Sequence, residues 1–390
     1  MRIAFYAPMK PPDHPVPSGD RRMSRGFIRI LERLGHEVRV VCRLRSYDRA
    51  GDQLHQLRLA HTAAGLANRL SVRLARDWLP DVWFTYHCYH KAPDLLGPTV
   101  SERLGVPYVV AEPSFARRRR EGNWAVGHAG SIRALSRADL LLPMTKVDLR
   151  GMHAAGSRIK GVVRRLPPFI DTLPFRQANA RRFAHRNEVA QAFGLDPGAV
   201  WLLTVAMMRD DDAKRNSYLQ LADALSRLTA WPWQLLVVGD GPAAPKIRAA
   251  FAQFEPERVR FAGALPEDRL PPIYAASDMF VWPALNEAYG VVFLEAQAAG
   301  LPVVAGRGTG VADVVLHRRT GLLATGGDAV SFANSMMILL DEPERRASMG
   351  QAGIRHVERV HSEAAAAHAL DAALDLAVAR RVRREETGER

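Results

Sequence analysis

Cysteine is nearly absent: the 390-residue chain has two, Cys42 and Cys88, far apart and in no metal-ligand spacing. That removes the usual signature of a cysteine-based metal site. Long apolar runs are missing too, since stretches such as LLLPM, LLVVG and MFVWPAL fall far short of the roughly 20 residues needed to cross a bilayer. The first apolar run, RIAFYA, starts at residue 2 without the pattern of a signal peptide. A cytoplasmic protein without a membrane span is expected. Acidic residues are scarce in the first half only, where residues 1–175 hold 29 Lys and Arg against 15 Asp and Glu, a balance of +14. Residues 176–390 hold 25 against 26 and balance at −1. A basic half of this kind suits an anionic small molecule, a membrane surface or nucleic acid. Zinc spacing, a helix-turn-helix pattern and interleaved aromatic and basic residues are all lacking, so nucleic acid is not the expected partner.

What is present is ordinary globular composition, with 47% hydrophobic and 24% charged residues, and enough chain for two cores. Apolar runs of strand length alternate with amphipathic stretches of helix length. In the first half the expected strands are 2–7, 37–42, 81–86, 107–111, 139–143 and 161–166. Helical patterns such as MSRGFIRILERLG and LGPTVSERLG lie between them. The second half repeats the scheme with strands at 200–207, 234–239, 258–263, 278–283 and 302–306. Buried, non-alternating strands in βα order predict parallel sheets covered on both faces. The fold class is therefore α/β, with two Rossmann-like doubly wound domains. RLPPFIDTLPFRQ (165–177) carries three prolines and neither helical nor strand period, and it marks the junction. We place the domains at 1–170 and 171–390, with a partly helical C-terminal tail.

Open α/β sheets bind ligands beyond the carboxyl ends of their strands, and in the second half the polar residues collect there. Arg209 and Lys214 lie in RDDDAKRN after one strand, DGPA follows LLVVG, and NEAYGVVFLEAQAAG follows DMFVWP. Glu287 and Glu295 flank Gly290 at the head of a helix, where acids are favourable on general grounds because the N–H groups and dipole are positive. The triplet Asp210, Asp211, Asp212 is read as a solvated face or an N-cap rather than an Asp-x-Asp metal motif.

These pieces resemble the nucleotide-binding domain of the family 4 retaining glycosyltransferases of GT-B architecture. The likeness rests on the Arg209 and Lys214 pair, VVGDGP, VRFAGALP, IYAASDMFVWPALNEAYGVVFLEAQAAGLPVVA, GTGVADVV and TGLL, in that order, across roughly residues 198–361. It implies an NDP-sugar donor, with the N–H groups around Ala288, Tyr289, Gly290, Val291 and Val292 holding the diphosphate at the helix N-terminus. Arg209 and Lys214 would then stabilise the leaving diphosphate without a metal or other cofactor. Glu287 would accept hydrogen bonds from sugar hydroxyls, Glu295 would grip the ribose diol, and Gly263 and Leu265 would lie by the base. The terminal segment is expected to return to the first domain.

The first half resembles the family more loosely. PSGDRR (17–22) looks like the loop that covers the diphosphate from the opposite domain, with Gly19 giving backbone access, and MKPPDHPVPS before it reads as an acceptor-side loop. Relatives place a histidine after the fourth strand, whereas Glu112 stands there here; His87 and His90 follow the third strand as further acceptor-side candidates. Asp313 replaces a common glutamate and is given a structural role. The implied activity is transfer of a sugar to a glycan or lipid-linked acceptor in cell-surface polysaccharide or glycolipid assembly. A non-catalytic nucleotide-sugar-binding protein of the same fold is the alternative. The run Arg117 to Arg120 is read three ways, as a site that docks on the inner face of an anionic membrane, as a clamp for an anionic acceptor, or as a solvated loop.

Overall fold

The structure, a computed structural model, describes residues 1–16 and 18–386. It divides into two compact units, one of residues 1–167 together with the segment from Glu363, the other of residues 168–362.

The first unit is built on six strands, β1 (Arg2–Tyr6), β2 (Glu37–Cys42), β3 (Val82–Cys88), β4 (Tyr108–Pro113), β5 (Leu140–Leu142) and β6 (Val162–Val163). Their order is β2-β1-β3-β4-β5-β6, and every pairing is parallel. Ile3 to Tyr6 and Val82 to Phe84 have no exposed surface. That is the mark of strands covered on both faces, and it is why their residues do not alternate. The strand order reverses between β1 and β3. At the end of β1 the chain enters the helix Gly19–Arg33, whose N-cap Ser18 accepts from the Arg21 N–H. Pro17 of the PSGDRR turn lies outside the described residues. The helix Gly97–Leu104 stops at Gly105, which takes the left-handed conformation at φ 69° that closes a helix C-terminus.

The second unit has β7 (Val200–Val205), β8 (Trp233–Val238), β9 (Val259–Gly263), β10 (Met279–Trp282), β11 (Val303–Gly306) and β12 (Gly321–Ala324), in the order β12-β11-β10-β7-β8-β9 and again all parallel. The reversal falls between β10 and β7. Trp201, Trp233 and Trp282 are fully buried, the last with its ring 4.8 Å from Tyr218. Truncating one such ring to alanine costs about 3–5 kcal/mol.

Three sequence expectations need correction. β12 was not foreseen. The proline-rich stretch does not stay irregular, because the helix Leu173–Ala180 begins inside it. Pro174 sits in that helix's first turn, where a missing N–H costs nothing. β6 spans two residues rather than six. The C-terminal segment forms the helix Glu363–Glu386 within the first unit. The buried Glu363 carboxylate holds it there, accepting from Arg29 at 2.5 and 3.0 Å and from Arg33 at 2.5 Å.

Candidate active site

In the second unit the reversal of strand order opens a crevice at the ends of β7 and β10. The loop after β7 runs into the helix Asp212–Ser226, and Asp211 caps it by accepting from the Lys214 N–H at 2.9 Å. This cap, with Arg215 bound to Asp210 and Asp212, accounts for the acidic triplet. Capping fixes the first turn, and the first turn aims Lys214. Its Nζ lies 2.6 Å from Glu287 Oε2 and 5.3 Å from the centre of the Trp282 ring. Arg209 is exposed and makes no hydrogen bond or ion pair among the described residues.

The loop after β10 is tied down on two sides. The Ser217 hydroxyl accepts from the Leu285 N–H at 3.0 Å, and the Thr204 hydroxyl donates to the Val281 carbonyl at 2.6 Å. Ala284 and Asn286 are held at φ 56° and 54°, a region that side chains bearing a Cβ rarely occupy. Gly290, at φ 75°, starts the helix Val291–Ala298. A Cβ there would lie 2.7 Å from the Phe293 ring, so both backbone and packing require glycine. Ala288 is exposed, Val291 and Val292 are half-buried, and Tyr289 is buried. The helix therefore presents its first N–H groups beside the Lys214 and Glu287 pair, with the positive end of the dipole reinforcing them.

Sequence reasoning missed the loop after β11 as part of this construction. A Cβ on Gly306 would collide with the Pro283 carbonyl, and one on Gly310 with the Ala288 carbonyl. The two strand-end loops pack backbone to backbone, and the glycines of GRGTG (306–310) are the signal that could have revealed it.

Glu295 departs from its expected role. It has no exposed surface, and its Oε2 accepts from the buried Tyr274 hydroxyl at 2.7 Å. A carboxylate enclosed in this way meets no ligand unless the side chain moves. Gly263 ends β9 and Leu265 follows it, two strands from β7 and thus about 10 Å along the sheet edge. Gly263 is at φ 70° and its carbonyl accepts from the Gly239 N–H at 2.8 Å. Asp313 is buried at the short helix Val311–Val314.

The first unit carries its own polar cluster at the reversal between β1 and β3. His87 is the penultimate residue of β3 at φ 62°, and Glu112 is the penultimate residue of β4 at φ 53°. His87 Nδ1 lies 3.0 Å from Asp20 Oδ1 and 3.8 Å from Glu112 Oε2. Burial works against the charge on His87, but the Glu112 and Asp20 carboxylates outweigh it and push the imidazole up to about 9. Burial raises the Glu112 carboxyl to about 7, with His87 opposing the shift and Asp20 adding to it. Asp20 was not a candidate, since nothing local marks it. His90 does not join this cluster: burial, then Arg119 and Lys91, lower it to about 4, and its ring lies 5.9 Å from Trp124. Gly19 is the first residue of its helix, and a Cβ there would meet nothing within 4 Å. The protein's own packing therefore does not demand glycine at that position.

Residues 200–342 match the family model of "Glycosyl transferases group 1". The chain is 29% identical over 308 residues to D-inositol 3-phosphate glycosyltransferase 2 of Catenulispora acidiphila, covering 75% of this chain and 70% of that protein. It is also 29% identical over 306 residues to a GDP-mannose-dependent phosphatidylinositol monomannoside mannosyltransferase of Mycolicibacterium smegmatis, covering 75% of each. Among solved structures, sucrose-phosphate synthase from Thermosynechococcus elongatus matches with a TM-score of 0.72 at 18% identity, over 95% of this chain and 97% of that one. HepE from Anabaena, in complex with UDP-glucose, matches at 0.69 and 16%, over 96% and 99%. The relatives are named as transferases, which does not favour the non-catalytic reading. Residues 200–342 thus form a domain of the group 1 glycosyltransferases, the two parallel six-stranded sheets are those of the GT-B fold, and the chain is similar along most of its length to the transferases named above.

Proposed function

We propose that the chain moves a sugar from an NDP-sugar to a phosphate-bearing glycan or lipid acceptor, with retention at the anomeric carbon. The observation that carries this reading is the pairing of Lys214 with Glu287 at the head of the helix Val291–Ala298, where the strand order reverses. A diphosphate placed there meets free N–H groups, a helix dipole and two cations, Arg209 and Lys214, on one side. When the bond from sugar to phosphate breaks, the leaving diphosphate gains negative charge, and those fixed donors stabilise it. Glu287, displaced from Lys214 by the phosphate, is free to accept from sugar hydroxyls. The leaving phosphate oxygen takes the proton of the attacking hydroxyl, so no protein base is assigned.

Donor identity is supported from two directions that differ, GDP-mannose in the name of one relative and UDP-glucose in one structural neighbour. Acceptors named for the relatives carry phosphorylated inositol, and the +14 balance of residues 1–175 complements such an anion. We assign acceptor contacts to the edge of the first sheet bearing His87 and Glu112. No metal is assigned, since protein cations take the role of charge neutraliser. Among the described residues no group of three or more His, Cys, Asp or Glu side chains is arranged to hold one. Likewise, no described helix is long and apolar enough to cross a membrane. The exposed Arg117, Arg118 and Arg120 are proposed to attach the chain to an anionic bilayer surface.

A thermal-shift panel of nucleoside diphosphates and NDP-sugars tests the donor reading. A ligand at 100 times its Kd adds about 2.7 kcal/mol of stability. Stabilisation by one base series, followed by slow release of sugar from the matching donor in excess EDTA, is expected. A flat panel overturns the reading.

A further inference from the structure

The first unit has an open-sided cavity of about 290 Å³ between the helices Gln53–Asp77, Gly97–Leu104 and Ala125–Arg137 and the loop after β3. This is close to the lower bound of small-molecule sites, about 300 Å³. Leu59, Ala60, Leu95, Pro98, Val126 and Ala129 make its walls. A Cβ on Gly127 would collide with the His90 carbonyl, and one on Gly130 would lie 3.1 Å from Pro93 and Leu95. Helix and loop are already in backbone contact on that side, so the space cannot close by their approach.

Most polar groups on the lining are internally satisfied. Gln56 donates to Asp48 at 2.6 Å and to the Asn123 carbonyl at 2.8 Å, and it accepts from the Gly127 N–H at 2.9 Å. Asp94 accepts from the Leu96 and Gly97 N–H groups and from the hydroxyls of Thr85 and Tyr108. What stands unsatisfied is His90 Nε2, buried and without a hydrogen-bond partner among the described residues. The charged residues that join it on the lining, apart from the saturated Asp94, are Lys91 and Arg133, both cations. Arg119 and Arg118 add to the positive field at His90, which with burial keeps its ring neutral near pH 7.

An apolar track leads outward from this space. Leu57, Ala60 and Ala64 recur at i, i+3 and i+7 on one stripe of the helix, with Leu54 one turn before them. Leu54 and Leu57 are 65% and 53% exposed, which is costly for leucine without a partner.

We propose that this cavity binds a single acyl chain ended by an anionic group. The chain lies along the alanine and leucine walls and leaves past Leu57 and Leu54, while the anionic end meets Lys91 and Arg133. Charge complementarity fixes the head and the apolar walls fix the tail. The site is independent of the donor reading, because it lies wholly within the first unit and needs no nucleotide. The chain is supplied either as a free fatty acid or by a lipid drawn from an anionic bilayer.

Calorimetry with dodecanoate, butyrate and dodecyltrimethylammonium tests it on the full chain. One dodecanoate per chain is expected, with affinity at least tenfold lower in Ala60→Phe, which fills the space, and in the double variant Lys91→Ser, Arg133→Ser. Butyrate, lacking the chain, and dodecyltrimethylammonium, carrying the wrong charge, are expected not to bind. Ala129→Leu is the second filling variant should Ala60→Phe lower the unfolding temperature. Co-sedimentation with phosphatidylglycerol vesicles separates the sources: a loss in the filling variants assigns the chain to bilayer lipid, and dodecanoate binding without that loss assigns it to free fatty acid. Absence of both kinds of binding, or equal binding by wild type and both filling variants, overturns the proposal.

Discussion

Replacing Lys214 by alanine changes two quantities that can be separated. The pair with Glu287 is 2.6 Å long, and its side chains are 18% and 24% exposed. It therefore stands between exposed pairs, worth about 0–1 kcal/mol, and buried ones, whose rupture costs about 3–5 kcal/mol. A loss of about 1–2 kcal/mol in the second unit follows from that intermediate placement. For a bound diphosphate, a charge-assisted hydrogen bond contributes about 1.5–3 kcal/mol, or roughly 10- to 150-fold in affinity. The lower half of that range is expected, because in the free protein Lys214 is already neutralised and the diphosphate must first displace Glu287. The same competition fixes the sign for Glu287→Gln: removing the competing carboxylate leaves nucleoside diphosphate affinity unchanged or tighter, while sugar transfer falls. Calorimetry with UDP, GDP and ADP on both variants, beside thermal unfolding, is the assay. Unchanged affinity in Lys214→Ala, or equal weakening in the two variants, would refute the phosphate assignment.

Tyr274→Phe removes the hydroxyl donated to the buried Glu295, and stability should fall by about 1–3 kcal/mol in urea unfolding. Gly310→Ala forces a Cβ against the Ala288 carbonyl, so diphosphate affinity should drop along with the unfolding temperature, and a silent variant would show that the two loops move apart freely. The His87 and Glu112 cluster makes stability pH-dependent. Both folded values are raised, so the stabilisation is complete below the unfolded values, 6.5 and 4.5, and is lost as pH rises through about 7 for Glu112 and about 9 for His87; a melting temperature that stays level from pH 5 to 9, or falls identically in Glu112→Gln, contradicts this. Changing Arg117 to Arg120 to serine should abolish salt-sensitive sedimentation with anionic vesicles, at about 1 kcal/mol per arginine, and equal sedimentation of both proteins removes the membrane proposal.

Much of the fold was legible because parallel strands covered on both faces read as unbroken apolar runs. RIAFY, VVC, VWF and LLVV need no partner strand to be seen. β12 escaped because GLLA is four residues long, too short to set a period, and it becomes a strand only through its ladder with β11. In the site, motifs placed Lys214, Glu287 and Gly290 on adjacent strand ends, but not the contact between the first two, which joins residues 73 apart in sequence. Asp20 was invisible for the same reason, lying 67 residues from His87. The enclosure of Glu295 was not legible, because spacing on a helix gives the turn a side chain occupies and not what lies above it. The buried Tyr274 comes from a different helix, Leu270–Ala276.

The two units use one device twice. Among the described residues five non-glycine residues have positive φ, and four of them, His87, Glu112, Ala284 and Asn286, sit at the carboxyl ends of β3, β4 and β10. Each such residue costs about 1–3 kcal/mol, and the cost persists only where surrounding structure over-determines it. Here the surroundings are the buried strands themselves: Val82 to Phe84, Val109 to Ala111 and Met279 to Trp282 have at most 1% exposure. A rigid sheet thus holds strained residues at its carboxyl edge, near the reversal of strand order, where ligands of open α/β sheets bind. Relaxing that turn should separate strain from chemistry. Asn286→Gly keeps the backbone geometry and removes the conformational penalty, so the second unit should gain stability while nucleotide affinity holds. Substitution by a β-branched valine, which resists positive φ, should lower both.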